Sequence, residues 1–475
     1  MKRDRKTGKL VKDIKEAIRL AGLKDGMTVS FHHHLRNGDM VAVMVMDAVS
    51  EMGIKDLNVN ISSIFDTHAP FIEYIRDGVI TGIETDYIGG VVGRAISEGI
   101  LEKPVVFRTH GGRPADIISG ASPIDVAFIA APTADPMGNC TGKYGKSACG
   151  SLGYAFADAM YAKTSVVITD NLVEYPLTDF SIAEDYIDYV VCVDKIGEPS
   201  GIVSGTTKIT KDPVGLVIAD YAARAIDASG LLVDGFSFQT GAGGPSLAAA
   251  QYLKDIMLRK GVKGSYGLGG ITGYMVDMMK SGCFRALLDV QCFDLDAVES
   301  IRTNPNHREV TASHYASPAA ASSAVDSLDV VILGATEIDT EFNVNVHTDS
   351  NGYIMGGSGG HSDTAAGARM SMIVAPLSRA RLPIVVDEVL CKSTPGSTVD
   401  VLVTQRGIAV NPLRPELADR FKAAGLPVVD ICQLRDAAEK LNGKAKKPVL
   451  GDRAVAKVLY RDGSLLDTIY NVPVK

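Results

Sequence analysis

Short apolar runs alternate with amphipathic helical patterns along most of the chain. The clearest runs are rich in β-branched residues and apolar at consecutive positions: IDVAFIAAP from 124, SVVITD from 165, IDYVVCVD from 187, LDVVILG from 328, PIVVDEV from 383 and VDVLVT from 399. Runs that are apolar on both faces suit parallel strands covered by helices. The pattern therefore predicts an α/β fold with mostly parallel sheets.

The second half of the chain repeats features of the first. FIEYIRDG at 71–78 resembles MVDMMKSG at 275–282, and LKDGMTVSF at 23–31 resembles LLVDGFSF at 231–238. The residues Ile124, Asp125, Asp135 and Asn139 match Leu328, Asp329, Asp339 and Asn343 at a shared offset of 204. Because a solenoid repeat has a period of roughly 20 to 50 residues, this longer period indicates a duplicated domain.

We place the two domains at residues 1–210 and 211–475. Their join falls near SGTTKITKDP at 204–213, where Gly, Thr and Pro interrupt the periodicity before a predicted helix at 214–229. The polar stretch after residue 440 leads into a predicted hairpin that turns around Arg461, Asp462 and Gly463. We assign this hairpin to the second domain.

Composition excludes several classes of function. The chain has 475 residues, a formal net charge of −8 and no basic cluster that would suit nucleic acid. No apolar stretch reaches the roughly 20 residues of a membrane helix, and the cationic start precedes an amphipathic pattern rather than an export signal. The seven cysteines are scattered without a C-x-x-C pair, which argues against a disulfide framework. We therefore expect a soluble cytoplasmic protein with neither nucleic acid nor membrane as partner.

Three glycine-rich segments follow predicted strands of the second half, at 238–244, 267–273 and 356–363. None has the spacing of a dinucleotide-binding or Walker loop, but backbone N–H groups at such turns hold anions or a developing oxyanion. One cluster alone would favour a plain tight turn, whereas three in one domain favour a ligand site. The candidates are Gln239, Thr240, Gly241, Gly243, Gly244, Gly269, Gly270, Gly356, Gly357, Gly359, Gly360 and His361.

The first half carries hydrogen-bond donors at its predicted strand ends. Arginine forks and imidazole N–H groups match carboxylate oxygens, so the set suits a small polyanionic substrate. The candidates are His32, His33, His34, Arg36, Ser62, Ser63, His110 and Arg113. Alternatively, the three adjacent histidines alternate across a strand, with one or two of them buried. Such alternation argues against zinc, and we predict no metal site.

Two further groups are candidates for catalysis. EIDTEFNVNV at 337–346 places Glu337 just past a predicted strand, as a candidate catalytic carboxylate or a turn cap. Asp339 has a repeat partner in Asp135, which favours a shared turn for that residue. Cys149 has no nearby His and acid companion, so we assign it no role.

Long motifs in order resemble the citrate lyase alpha subunit family. In the second half they are FQTGAGG, LGGITGYMVD, LDVQCFD, NPNHREVTASHYASP, EIDTEFNVNV, GGSGGHSDTAAGA and TPGSTVDVLVTQRGIAVNP, and in the first half SFHHHLRNGD, THGGRPADIISG and KSACGSLGYA. The resemblance runs from about Val11 onward. Family members often carry a further N-terminal segment, which is absent here.

The resemblance implies the fold of family I CoA-transferases, with two like α/β domains and the active site between them. It also implies citrate CoA-transferase activity, in which citrate replaces acetyl on an acyl carrier thioester and acetate is released. Implied partners are citrate, an acyl carrier (gamma) subunit and a citryl lyase (beta) subunit in an oligomeric complex. The implied thioester donor is acetyl-CoA or phosphoribosyl-dephospho-CoA on the carrier, with no tightly bound cofactor.

Related transferases use a glutamate nucleophile, and aligning the helix start at Val276 and Asp277 puts Gly269 near its position. This fits direct attack by citrate to give a citric acetic anhydride. Under this hypothesis the glycine segments, including Gly269 and Gly270, line the thioester and oxyanion region. The hydrogen-bond donors of the first half orient citrate. Two alternatives stay open: a generic CoA-transferase acting through Glu337 or Glu341, and a non-catalytic ligand-sensing scaffold.

Overall fold

The structure is a computed structural model that describes residues 8–203, 209–241 and 243–474. Within these ranges each half of the chain forms a large, mostly parallel sheet with helices against it, so the predicted fold class is confirmed. The predicted join lies partly outside the described residues, at 204–208, and the domain limits at 210 and 211 stay a prediction. No helix in these ranges combines the length and apolar character needed to cross a membrane.

Strands and helices alternate through both halves. The first half contains β1 (Leu10–Val11), α1 (Ile14–Ala21), β2 (Thr28–Phe31), α2 (Val41–Glu51), β3 (Leu57–Ile61), α3 (Phe71–Arg76), β4 (Ile80–Thr85), α4 (Gly90–Ser97), β5 (Val105–Phe107), α5 (Gly112–Ser119), β6 (Val126–Ala130), β7 (Thr133–Ala134), β8 (Cys140–Thr141), α6 (Ala155–Tyr161), β9 (Thr164–Thr169) and β10 (Tyr189–Cys192). The second half begins with α7 (Pro213–Ala228), β11 (Phe238–Thr240), α8 (Gly244–Lys260), β12 (Gly264–Ile271), α9 (Gly273–Lys280), β13 (Phe284–Cys292), α10 (Leu295–Thr303), β14 (His307–Glu309), α11 (Ala312–Ala316) and β15 (Val330–Leu333). It continues with β16 (Glu337–Asp339), β17 (Val344–Asn345), α12 (His361–Gly367), β18 (Met370–Val374), β19 (Ser378–Arg379), β20 (Leu382–Pro383), β21 (Val385–Val386), β22 (Val401–Thr404), β23 (Gly407–Val410), α13 (Pro415–Ala423), α14 (Ile431–Asn442), β24 (Ala454–Leu459) and β25 (Leu465–Tyr470).

Strand order demonstrates the duplication. The first sheet contains the parallel run β10-β9-β6-β2-β3-β4-β5, and the second contains the parallel run β22-β18-β15-β11-β12-β13-β14. The two runs match strand for strand in sequence order. Their central strands β6, β15 and β18 are buried at every residue, as expected for strands covered by helices on both faces.

Equivalent hydrogen bonds recur at the repeated aspartates. Asp125 Oδ2 accepts from the Thr28 backbone N–H at 2.8 Å, and Asp329 Oδ2 accepts from the Ser237 N–H at 2.9 Å. Each carboxylate thus fastens a central strand, β2 or β11, to the strand beside it. Since these bonds repeat along with the strand order, the two halves share local structure as well as topology.

A second repeated feature is a carboxylate-centred turn. Asp135 Oδ1 accepts from three successive backbone N–H groups, at 137 to 139, and Asp339 Oδ1 accepts from the N–H groups of Glu341 and Asn343. In each turn the other oxygen accepts from the asparagine side chain four residues on. The interpretation of Asp339 as a shared turn residue is therefore confirmed.

Two sequence assignments need correction. The run from 383 does not enter the main sheet, because β21 is two residues long and pairs with β16 in a separate three-stranded sheet. The C-terminal hairpin forms as predicted, but β24 pairs in parallel with β5 and so extends the first sheet. Arg453 reinforces this contact by donating to the Gly99 and Leu101 carbonyls. The last segment of the chain is thus built into the first half.

We expect a chain shortened to residues 1–450 to lose protection against amide hydrogen exchange chiefly in the first half. Without β24, the backbone groups of β5 face water, so their amide hydrogens at 105–107 should exchange faster by mass spectrometry. Strand β14, at 307–309, is the equivalent strand of the second sheet and serves as the internal control. Equal acceleration in both strands would contradict the sheet assignment.

Candidate active site between the two halves

Strand ends of the two halves meet directly. Thr109 and Gly359 form a parallel bridge, and the His110 N–H donates to the Gly359 carbonyl at 2.9 Å. The Gly359 N–H in turn donates to the Asp86 carbonyl at 3.2 Å. The glycine segment at 356–360 therefore lies against the ends of β4 and β5, and we call this contact region the seam.

Glycine is required in this segment because the halves approach too closely for side chains. A Cβ on Gly357 would overlap the Asp86 carbonyl across the seam, whereas a Cβ on Gly360 would overlap the Tyr315 hydroxyl within the second half. Gly359 also has a φ of +51°, in the region that L-residues with side chains rarely adopt. The segment thus brings backbone from one half onto backbone of the other, while its role toward an anion stays a prediction.

The glycine segment at 267–273 differs from the predicted loop in one respect. Gly269 and Gly270 lie inside β12, at a break in its register with β13, rather than in a loop. A Cβ on Gly269 would lie 2.7 Å from Cδ of Gln239. Gln239 donates to the Tyr315 hydroxyl at 2.9 Å, while its buried Oε1 has no hydrogen-bond partner among the described residues. The second-half segments thus converge on Tyr315.

The segment after β11 opens helix α8 close to the predicted position. Thr240 donates its hydroxyl to the Ser246 carbonyl at 3.1 Å, which holds the turn against the helix start. Gly243 is the N-cap and Gly244 the first residue of α8. Gly241 N–H donates to the Ile332 carbonyl at 2.9 Å, and Ala242 lies outside the described residues.

The three adjacent histidines follow β2 rather than lying in it, so the alternative in which they alternate across a strand is wrong. All three are buried. His32 accepts through Nε2 from the Ala130 N–H at 2.9 Å, and His34 from the Tyr154 N–H at 3.3 Å. Burial lowers the pKa of His32 to about 4 and that of His34 well below its usual value. These two rings are neutral and hold the backbone in place.

His33 faces the seam. Its ring centroid lies 4.7 Å from that of Tyr154 and 5.8 Å from that of His110. Its Nδ1 is 2.6 Å from the Ser62 hydroxyl, and Gln291 of the second half donates to its carbonyl at 2.9 Å. Burial, and then the charges of His110 and Arg36, lower its pKa well below its usual value. The structure thus distinguishes His33 from its two neighbours.

The two candidate serines lie at the end of β3 and are both buried. Ser62 accepts the His33 N–H through its hydroxyl at 3.1 Å. Ser63 donates its hydroxyl to the Ser62 carbonyl at 2.6 Å. The hydroxyls of both serines therefore contact only backbone groups or His33 among the hydrogen bonds described above.

His110 is held by a buried carboxylate. Its Nδ1 lies 2.9 Å from Asp86 Oδ2, and its ring centroid is 4.5 Å from that of Tyr154. The His110 side chain is 14% exposed, whereas Asp86 is fully buried. Burial raises the pKa of Asp86, and the hydrogen bond from His110 opposes that shift.

Arg36 is a cation of the seam without a carboxylate partner among the described residues. Its guanidinium carbon lies 5.4 Å from the Phe65 ring centroid and 4.8 Å from that of Phe293, one ring from each half. Its Nε is buried without a hydrogen-bond partner in the described structure, and burial lowers its pKa. Arg36 also has a φ of +51°, a strained conformation for a side chain of this size. It is therefore positioned to bind an anion.

Arg113 does not offer its guanidinium to a ligand, contrary to the sequence-based expectation. It donates to both carboxylate oxygens of Asp158, at 2.9 and 2.6 Å, and through Nε to Asn60 at 2.7 Å. The residue is 2% exposed, and Asp158 is 1% exposed. The guanidinium does bind a carboxylate through two nitrogens, as expected, but that carboxylate is Asp158 of the protein itself.

Glu337 and His361 are likewise engaged within the second half. Glu337 accepts from the Leu390 N–H and the Asn345 amide, both at 3.1 Å, and lines a cavity of about 450 Å³ beside the 444–448 segment. His361 uses Nδ1 with Thr394 and Nε2 with the Gly334 carbonyl, at 2.7 and 2.9 Å. Burial lowers the pKa of His361 to about 4. In the structure neither has a direct contact with Arg36 or His110.

Sequence reasoning did not identify one buried cluster. Asp289, Cys292 and His307 bring possible metal-ligand atoms within 4.8 Å of one another. Asp289 Oδ2 accepts from the Cys292 thiol at 3.0 Å and lies 2.9 Å from His307 Nε2. Burial, followed by the charge of Asp289, raises the pKa of the Cys292 thiol well above its usual value, so it stays a donor. Asp289 Oδ1 and His307 Nδ1 are buried and have no hydrogen-bond partner among the described residues.

The seam also contains residues that the sequence did not suggest: Asp86, Tyr154, Gln291, Phe293 and Tyr315. Asp86 directly follows β4 and Phe293 directly follows β13, so their positions at strand ends were the available signal. The seam thus combines a cation, an imidazole, an unpaired amide oxygen and aromatic rings. Such a set can bind a carboxylate and stabilise charge that changes during a reaction.

Comparisons with known proteins agree with the resemblance. A family model described as citrate lyase, alpha subunit, matches residues 7–472. The citrate lyase alpha chain of Klebsiella pneumoniae is 49% identical over 469 residues, covering 99% of this chain and 92% of that protein. The Escherichia coli citrate lyase alpha chain is 49% identical over 470 residues, with the same coverage.

Solved structures give the same result. A citrate lyase alpha subunit from Streptococcus mutans, crystallised in complex with citrate, has a TM-score of 0.97 and 47% identity, covering 99% of this chain and 93% of that one. The malonate decarboxylase alpha subunit from Acinetobacter baumannii has a TM-score of 0.66 and 16% identity, covering 93% and 94%. The second likeness shows a shared fold.

We expect Arg113→Ala to destabilise the protein by about 3–5 kcal/mol, because Asp158 would remain buried without its partner. Chemical denaturation measures this change. Arg76→Ala is the control, since its pair with Glu73 is more than half exposed on both sides and should contribute less than about 1 kcal/mol. If the Arg113→Ala protein is instead stable but binds citrate more weakly, Arg113 contacts the substrate and the scaffold role is wrong.

Proposed function

The chain belongs to the citrate lyase alpha subunit family, and we propose that it exchanges acetyl for citrate on an acyl thioester. The products are citryl thioester and acetate. The observation that carries the proposal is Arg36, a seam cation with a buried, unpaired Nε between rings of the two halves. The citrate complex of the Streptococcus mutans relative supports citrate as the anion.

The proposed exchange has two steps. A citrate carboxylate oxygen attacks the acetyl carbonyl carbon, the C–S bond breaks, and a citric acetic anhydride and a thiolate result. The thiolate then attacks the citryl carbonyl carbon, the anhydride C–O bond breaks, and acetate leaves. Both steps pass through an oxyanion, so fixed donors and aligned reactants supply the rate advantage.

The position of the glycines supports attack by citrate itself. Gly269 and Gly270 lie at the bulge in β12, three to four residues before α9 begins, where related transferases are expected to carry a glutamate. A side chain at Gly269 would overlap Gln239. Glu337, the candidate nucleophile, is 5% exposed and accepts hydrogen bonds from Leu390 and Asn345. We therefore favour the anhydride over an enzyme-bound thioester.

We further propose that the thioester is carried by a gamma subunit, or by CoA, and that a beta subunit cleaves the product. In this complex Arg36 and His33 would contact citrate, while the segments at 239–244, 269–270 and 356–360 would surround the thioester. No cofactor needs to be tightly bound. The seven cysteines are all unpaired, which fits a reducing cytoplasm.

The decisive assay is acetate release from acetyl-CoA, or from an acetylated carrier, on addition of citrate. We expect the purified full chain to release acetate only when citrate is present. No release from either donor would favour the non-catalytic scaffold. Hydroxylamine or borohydride trapping then tests the mechanism, since a modified glutamate would show the covalent route.

We expect Arg36→Met to raise the KM for citrate about tenfold or more, because a hydrogen bond to a charged group contributes about 1.5–3 kcal/mol. Steady-state kinetics at varied citrate concentration measures the change. Arg94→Met is the matched control, since Arg94 also stacks on an aromatic ring, Tyr353, but on an exposed surface. Equal KM values in the two variants would remove Arg36 from the citrate site.

A further inference from the structure

Three histidines in the described residues are paired with aspartates. His68 uses Nε2 with Asp39 at 3.2 Å and accepts the Phe65 N–H through Nδ1 at 3.0 Å, so both nitrogens are occupied. His307 pairs with Asp289, and its side chain is fully buried. These two pairs lack a nitrogen that a ligand could reach.

The pair between His110 and Asp86 differs in geometry. Asp86 lies at Nδ1, so the opposite nitrogen, Nε2, is left at the seam. Nε2 is 3.2 Å from the position that a Cβ on Gly359 would take, which places it beside the glycine segment of the second half. Of the three pairs, only this histidine combines an aspartate at Nδ1 with partial exposure.

The carboxylate determines which nitrogen exchanges protons. When Asp86 is ionised it accepts a hydrogen bond from Nδ1, so the neutral ring then carries its proton on Nδ1 and a lone pair on Nε2. Protonation at Nε2 gives an imidazolium beside a buried carboxylate. The positive charge of Arg113, which is itself paired with Asp158, also lowers the pKa of Asp86 and so opposes the effect of burial. Asp86 therefore fixes the ring and compensates its positive charge.

Thioester exchange requires a group that handles the proton of the thiol. Even a cysteine thiol has a pKa of about 8.5, so an alkyl thiolate released at neutral pH is protonated at equilibrium. The same thiol must lose its proton again to attack the anhydride. Neither citrate nor acetate needs to exchange a proton in these steps.

We propose that His110 is a catalytic residue that carries this proton through Nε2, with Asp86 as its positioning residue. As the C–S bond breaks, the Nε2–H gives its proton to sulfur and leaves neutral imidazole. When the thiol attacks the citryl carbonyl, Nε2 takes the proton back as the new C–S bond forms and acetate departs with the C–O electron pair. The cycle consumes no proton. This inference rests on the proposed exchange function.

The test compares thioesters whose thiols differ in acidity. The full chain is assayed for acetate release with S-acetyl-N-acetylcysteamine, an alkyl thioester, and S-acetyl-4-acetamidothiophenol, an aryl thioester with a more acidic thiol. We expect His110→Gln to slow the alkyl donor by about 10²–10⁴-fold, the usual contribution of general acid–base catalysis. The aryl donor should lose at least tenfold less, because its thiolate is stable without a proton. Asp86→Asn should show the same pattern with smaller losses.

His68→Gln is the control for loss of a buried histidine–aspartate pair. It should lower the melting temperature while changing the rates with both donors by the same factor. Equal losses with both donors in His110→Gln, or no loss, would overturn the proton-carrying role while leaving the exchange function intact. A wild-type chain inactive with citrate and both donors, and with acetyl-CoA, would instead refute the exchange function and the inference together.

Discussion

The close backbone contact between the two halves is the constraint on which the site depends. The bridge from Thr109 to Gly359 brings strand ends of separate sheets within hydrogen-bonding distance. Only glycine permits that approach at position 357, since a side chain there would overlap the Asp86 carbonyl of the first half. Because backbone groups bond across the seam, the residues on either side are held at fixed separations, as a site requires.

Electrostatic pairing distinguishes the residues that support the structure of the seam from those that are available to bind a ligand there. Arg113 is buried with Asp158, which compensates its charge inside the first half. Arg36 has aromatic rings around it in place of a carboxylate, so its charge remains to attract an anion. His32 uses its ring to accept a backbone N–H and is kept neutral by burial. Arg113 and His32 thus support the structure, whereas Arg36 and His110 remain available for chemistry.

Much of the fold could be predicted because it depends on local pattern and on internal repetition. The aspartates at 125 and 329 recur with their strands, and the structure gives both the same bond to a neighbouring strand. The C-terminal hairpin was also visible from its turn, but its partner strand was not. A hairpin pattern specifies its own two strands, whereas the edge that it joins depends on where the whole chain passes.

The sequence alone determined the α/β class, the duplication, the family and the strand ends that supply polar residues. Tertiary structure decided which of those residues are available to a ligand. Arg113 and His110 are three positions apart, yet one is enclosed by Asp158 and the other turned toward the second half by Asp86. Burial and pairing depend on partners tens or hundreds of residues away, and periodicity along the chain contains no information about those distances.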